Sequence, residues 1–228
     1  MLADIRAPAM AGWFLFASIG AGNSTSGVEG ALDEVSQGQP PVVTVTIAVP
    51  SDRSEAFHPR VEVDRLVEAG PDWPSDHRGR FLNELAPHAL MSGVKHCVPP
   101  SVVMAQAIQE SGWGRSGLAK RHGNLFGIKD FRGGGVELST TEGEGEPTRA
   151  RFRTWDHWTQ SIDAHGEILG DDPRYDHAKV HREDGVSYAR AIGPVYATDP
   201  AYSVKLERLI RRYQLDAWDQ PVAQMTTC

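Results

Sequence analysis

The chain is poor in cysteine, poor in basic charge relative to acidic, and without a long hydrophobic run. Its two cysteines are Cys97 and Cys228, the second being the last of 228 residues. Two thiols this far apart make no disulfide framework, and both are expected to be free. No Cys-x-x-Cys pair or His/Cys cluster occurs, and His157, His165, His177 and His181 form no ligand pattern, so no metal is expected. Lys and Arg number 23 against 30 Asp and Glu, a formal net charge of -7. That balance excludes a nucleic-acid partner held through a general basic surface. It also leaves binding to any anionic polymer to shape, stacking and hydrogen bonds. The most apolar stretch, Ala9 to Ala21, falls short of the roughly 20 residues that span a bilayer, so no transmembrane segment is expected. Arg6 before it and small residues after it outline a signal peptide, while Asp4 and the single cation speak against one. No internal repeat is visible. What remains, 40% hydrophobic and 23% charged residues, is ordinary for a soluble protein with one well-filled domain and an extension.

Residues 1–78 read as that extension. Gly22 to Pro40 is small, polar and linker-like. Val42 to Val49, bounded by Pro41 and Pro50, is a strand without a neighbouring partner. Such a strand must join the domain's own sheet or augment an edge on another chain, so residues 1–50 are a candidate assembly segment. Ser51 to Asp76, with several prolines and charges, reads as a second linker. From Arg78 a helical period begins: Phe81, Leu82, Leu85, Ala89 and Met91 predict a helix ending near Gly93. Residues 218–228 read as a C-terminal tail.

The stretch from Pro99 to Lys129 carries the chemistry. Pro99, Pro100 and Ser101 open a run in which Val103, Met104, Ala107 and Ile108 recur at helical spacing, and Gly112 and Gly114 close it. Glu110 follows Ala107 by three residues and Val103 by seven, which puts a carboxylate on the inward stripe. There it would titrate high and keep its proton near neutral pH, as a general acid must. The alternative from spacing alone is a glutamate solvated at a frayed helix end.

Further along, Val136, Leu138 and Thr140 alternate with Glu137 and Ser139, and Ala150 and Phe152 with Arg149, Arg151 and Arg153. This predicts a β-hairpin with an acidic tip and a basic return strand. Trp155, Trp158, Ile162 and Leu169 place a helix after it, residues 184–192 a short one, and Asp199-Pro200 the start of the last, with Tyr202, Leu206, Leu209, Ile210 and Tyr213 as its buried stripe. Tyr196 falls on the loop before that helix, and Asp199 reads as structural.

Ala105 to Ser116 (AQAIQESGWGRS), Asn124 to Lys129 (NLFGIK), Thr140-Thr141-Glu142, Phe152-Arg153 and Tyr196 to Tyr202 (YATDPAY) resemble, in order and spacing, the motifs of glycoside hydrolase family 73. These are the glucosaminidases and flagellar-rod-type muramidases that cut peptidoglycan. Several matches in register over roughly residues 79–215 are far more specific than one motif. The resemblance implies an α+β, lysozyme-like domain over residues 79–217, a helical lobe and a small β-hairpin lobe with a substrate groove between them. It implies Glu110 as general acid, Glu142 as second carboxylate and Tyr196 as a catalytic hydroxyl. It makes Trp113, Asn124, Phe126 and Tyr202 substrate contacts. Gly123 stands where the family often has another asparagine, and Gly143 where an aromatic residue commonly follows the second glutamate.

The implied activity is an endo-β-N-acetylglucosaminidase acting without a cofactor on the GlcNAc-MurNAc strand, outside the cytoplasm or on a virion. Muramidase and lytic transglycosylase are the enzyme alternatives. From another class, the alternative is a structural component of a phage tail or flagellum that keeps the fold.

Overall fold

The computed structural model describes residues 58–140 and 148–226. The apolar stretch Ala9 to Ala21, the strand Val42 to Val49, the hairpin tip with Glu142, and Cys228 lie outside the described residues. Eight α-helices are described: α1 (Pro59–Glu68), α2 (His77–His96), α3 (Pro100–Ser111), α4 (Gly117–His122), α5 (Trp158–Asp171), α6 (Gly185–Tyr196), α7 (Tyr202–Tyr213) and α8 (Asp219–Met225). Two 3₁₀ segments, Pro173–His181 and Leu215–Trp218, link α5 to α6 and α7 to α8. Strands β1 (Val136–Thr140) and β2 (Thr148–Phe152) pair antiparallel, Val136 opposite Phe152 and Thr140 opposite Thr148. The expected α+β division into a helical lobe and a hairpin lobe is what forms.

The fold is built around α3. Pro100 starts it without wasting an N–H, and Gly112 stops it with a left-handed φ of 56°. Every residue from Pro100 to Ile108 is buried, because α2, α5, α6, α7 and α8 all pack against this helix. Fully burying side chains such as Val102, Val103 and Met104 contributes about 1.5–3 kcal/mol each, so the core grips α3 on all sides.

α2 begins where the Asp76 carboxylate accepts the Gly79 N–H at 2.9 Å. It runs past Gly93, the expected stop, to a left-handed Cys97 with φ 62°. Gly93 serves packing instead: a Cβ there would lie 2.9 Å from Val222 and 3.0 Å from Pro100.

The core extends on both sides of the 79–217 boundary. The stretch read as a linker holds α1, whose Val63 and Leu66 are buried against α2, and Trp73 is buried as well. Pro59 occupies the first turn of α1, where proline starts a helix instead of breaking one. The stretch read as a tail holds α8, with Val222 and Met225 buried. Trp218 joins the two additions: its ring stands edge-on to Trp73 at 5.6 Å, and its Nε1–H donates to the Leu66 carbonyl at 2.8 Å.

Cys97 is disulfide-bonded, which corrects the expectation of a free thiol. Distance along the chain misled that reading, since α8 comes back against α2 and α3. No described helix is long and apolar enough to cross a membrane.

Candidate active site

Glu110 stands in the last turn of α3, half-buried, on the same stripe as the fully buried Val103 and Ala107. Its Oε1 accepts a hydrogen bond from the Tyr202 hydroxyl at 2.8 Å. That hydroxyl in turn accepts from Nε2 of Gln106 at 3.0 Å, one turn back along α3. Desolvation pushes the Glu110 carboxyl up to about 8, against the pull of the Tyr202 bond. The negative end of the α3 dipole acts in the same direction as burial. The helix end itself is firm: Ser111 Oγ accepts the Gly114 N–H at 2.7 Å, and the Ser116 N–H returns to the Ser111 carbonyl at 2.8 Å.

Behind the carboxyl lies a row of rings. Tyr202 stacks on Tyr196 with centroids 5.4 Å apart and planes at 7°. Tyr196 meets the edge of His165 at 6.2 Å, and His165 stacks on Phe126 at 3.9 Å. Tyr196 is the last residue of α6, not part of a loop as expected, and its ring is 1% exposed. Burial and the nearby Glu110 charge hold the hydroxyls of Tyr196 and Tyr202 well above the usual tyrosine range, so both stay protonated. His165 is buried, neither ring nitrogen has a hydrogen-bond partner among the described residues, and desolvation lowers it to about 3. It is therefore neutral at any ordinary pH.

The structure thus sorts the expected site residues. Tyr202, expected as a substrate contact, is buried and holds Glu110. Asn124 is 1% exposed and spends its amide on the fold: Nδ2 donates to the carbonyls of Ile128 and Arg153, and Oδ1 accepts from the Ile128 N–H. It pins the 124–128 turn to the end of the hairpin and offers substrate nothing in this arrangement. Phe126 is core. Trp113 has a left-handed φ of 63° and packs edge-on against Phe81 and Tyr213, with the Arg78 guanidinium 5.4 Å over its ring. It lines a pocket of about 290 Å³, with Phe81, Arg80 and Lys120 among the walls, that Glu110 does not line. Glu142 lies two positions beyond the end of β1, outside the described residues. Gln106 and His165 were missed by the sequence reading. Gln106 precedes Glu110 by four residues, the spacing that puts both on one face, and that was the available signal. His165 gave none.

A half-buried, largely desolvated and protonated carboxyl at a helix end, oriented by a tyrosine, is a proton donor set for an oxygen leaving group. The model of the glucosaminidase family, described as mannosyl-glycoprotein endo-beta-N-acetylglucosaminidase, matches residues 86–215. The chain belongs to the glucosaminidase family. Glu110, Tyr196 and Tyr202 all fall inside that match. Among relatives, the chain is 33% identical to the exo-glucosaminidase LytG of Bacillus subtilis, over 64% of this chain and 55% of that protein. It is 32% identical to the peptidoglycan hydrolase FlgJ of Escherichia coli, over 61% and 47%. The chain therefore spans about half the length of these curated relatives. Among solved structures, the catalytic domain of the autolysin Auto from Listeria monocytogenes aligns with a TM-score of 0.56 at 27% identity, over 72% of this chain and 99% of that one. A C-terminally truncated glycoside hydrolase domain of Salmonella typhimurium FlgJ aligns with a TM-score of 0.51 at 30% identity, over 61% and 98%.

Proposed function

We propose that this glucosaminidase-family chain hydrolyses β-1,4 glycosidic bonds in the glycan strand of peptidoglycan, as an endo-β-N-acetylglucosaminidase with Glu110 as general acid. The supporting observation is the Tyr202 hydroxyl 2.8 Å from a carboxyl that desolvation holds protonated up to about pH 8. The names of the relatives, peptidoglycan hydrolase and exo-glucosaminidase, supply the substrate class.

The hydrogen-bond chain sets the direction of proton transfer. Gln106 donates to Tyr202, so the tyrosine proton points at Oε1 of Glu110 and makes that oxygen an acceptor. The acid proton then resides on Oε2. As the C1–O bond breaks, this proton passes to the departing sugar oxygen, and positive charge spreads over C1 and the ring oxygen. A water adds at C1 and loses its proton to Glu142, the proposed base. Carboxylates roughly 6.5–9.5 Å apart would leave room for that water and invert the anomeric centre. Tyr196 is proposed to act through its stacking on Tyr202. No step requires a cofactor. The protein would work outside the cytoplasm, on the cell wall.

Product analysis tests the bond assignment. Purified peptidoglycan digested by the protein and reduced with borohydride should yield fragments ending in reduced GlcNAc. Reduced MurNAc would make the protein a muramidase, an anhydro sugar a transglycosylase, and absence of any released fragment would contradict the reading.

A further inference from the structure

The helix that carries Glu110 is also anchored at its opposite end. Asp219, first residue of α8, is 1% exposed and lies beyond the residues matched by the family model. Its Oδ1 accepts the backbone N–H of Ser101 at 3.0 Å, and its Oδ2 accepts the Ser101 hydroxyl at 2.7 Å and the N–H of Gly185 at 2.9 Å. Ser101 is the second residue of α3 and Gly185 the first of α6. Both N–H groups belong to the first turn of a helix, where no intrahelical acceptor exists. One buried carboxylate therefore closes two helix starts at once. The two positive helix ends favour its negative charge there, while burial pushes its pKa up to about 7.

The junction leaves no slack. A Cβ on Gly185 would lie 1.8 Å from Ser101 Oγ and 2.6 Å from Asp219 Oδ2. Position 185 thus admits only glycine while the other two groups stay in place. From this junction α3 and α6 run on to last turns that carry Glu110 and Tyr196. The α7 helix, whose Tyr202 lies between those two side chains, packs on both. An α-helix is stiff along its axis at about 1.5 Å per residue, so a shift at its start is carried to its end.

We propose that Asp219 is a positioning residue for the Glu110 acid: by tying the start of α3 to the start of α6, it fixes where Glu110 and Tyr196 stand around Tyr202. The proposal rests on Glu110 being the acid. Its link is mechanical, so loss of the tie lets the end of α3 slide against α7, lengthens the Tyr202 to Glu110 bond and lets more water reach the carboxyl. Desolvation acts on the Glu110 pKa more strongly than the Tyr202 bond, so the net shift is downward.

Asp219→Asn and Ser101→Ala are the test variants. Asparagine keeps the shape but, whichever way its amide is turned, sets an NH2 donor against one of the two N–H groups, whereas Ser101→Ala removes one of three hydrogen bonds and leaves the carboxylate. Two readouts are taken well below the melting temperature: kcat and KM on peptidoglycan, and the titration midpoint of Glu110 by carboxyl carbon NMR. The expected result is a kcat lower by about 10-fold with KM nearly unchanged, and a Glu110 midpoint about half a unit or more below that of the wild type. Val63→Ala, a core truncation in α1, should lower the melting temperature without moving either readout. If Asp219→Asn does not fold, Ser101→Ala alone decides. A Glu110 midpoint and a kcat that stay at wild-type values in the folded variants overturn the proposal. Should the wild type release nothing from peptidoglycan, the functional reading fails. The NMR midpoint still decides the mechanical link, because it needs no substrate.

Discussion

A carboxyl group holds its proton at neutral pH when the fold withdraws water from it and supplies no cation in exchange. Glu110 meets both conditions, and its one described hydrogen bond comes from a neutral tyrosine. Its protonated form is complete below about pH 8 and is lost as pH rises through that value. The rate constant kcat/KM on peptidoglycan should therefore fall along an alkaline limb near pH 8. In Tyr202→Phe the bond that lowers the pKa is gone, so the limb should move to higher pH while kcat drops, the oriented proton having lost its guide. A limb that stays in place would dissociate Tyr202 from the acid. The same burial has a thermodynamic consequence. Because the folded-state pKa lies above the ordinary glutamate value, the folded protein binds more protons than the unfolded chain from about pH 4.5 to 8, and stability contributed by Glu110 falls across that window. Glu110→Gln removes the burden, so its melting temperature should exceed that of the wild type, with a gap that widens up to about pH 8 and then stays constant. His165 has the opposite sign. Its folded pKa of about 3 lies below the ordinary value, so stability is lost as pH falls from about 6.5 to 3, by up to about 1.4 kcal/mol per pH unit. His165→Phe should flatten that acid slope in a denaturation series; an unchanged slope would refute it. At this scale the sequence marked Glu110, since seven-residue spacing from Val103 fixes a helix face. The resemblance gave the catalytic hydroxyl to Tyr196, whereas the hydroxyl on the Glu110 carboxyl is that of Tyr202. Both lie in one motif, and which hydroxyl reaches the carboxyl depends on how α6 and α7 cross.

The helices owe their close approach to residues that lack side chains. Where α5 crosses α2, a Cβ on Gly166 would lie 2.3 Å from Ser92 Oγ and 2.6 Å from the His96 ring. Gly166→Ala must push the two helices apart, and a cost of about 1–3 kcal/mol is expected in chemical denaturation. A neutral effect would mean the crossing is looser than its geometry. Periodicity found α3, the hairpin and α7 within a residue or two, because each has a strong internal pattern, and Gly112 turns left-handed where α3 was expected to close. It ended α2 three residues early and placed Tyr196 in a loop. In both cases a residue usually read as a breaker sits inside a helix: Gly93 facing Val222 and Pro100, and Pro194 within α6. Tertiary packing outweighs a local preference of about 1 kcal/mol for glycine.

At the scale of the whole molecule, the domain is larger than its motifs. The family match covers residues 86–215, yet α1, Trp73 and α8 complete the core around Trp218. Prolines and charges in 51–76 suggested a linker because composition does not show that Pro59 is a first-turn residue or that Val63 and Leu66 share a face. The practical consequence is a boundary. Removing residues 1–57 should leave a folded protein, whereas removing 1–76 strips Val63, Leu66 and Trp73 and should cost several kcal/mol, at about 1.5–3 kcal/mol per large apolar side chain. Equal melting temperatures for the two truncations would contradict this. Within this domain the chemistry turns on one proton, that of Glu110. Digestion of purified peptidoglycan by the wild type and by Glu110→Gln, followed by mass spectrometry of the released fragments, tests it most directly. Glutamine keeps the shape and the Tyr202 contact but has no proton to give. The wild type should release muropeptides, and the variant should be slower by about 10²–10⁴-fold while remaining folded. A folded Glu110→Gln protein that cuts the wall at the wild-type rate would contradict the assignment of Glu110 as the acid.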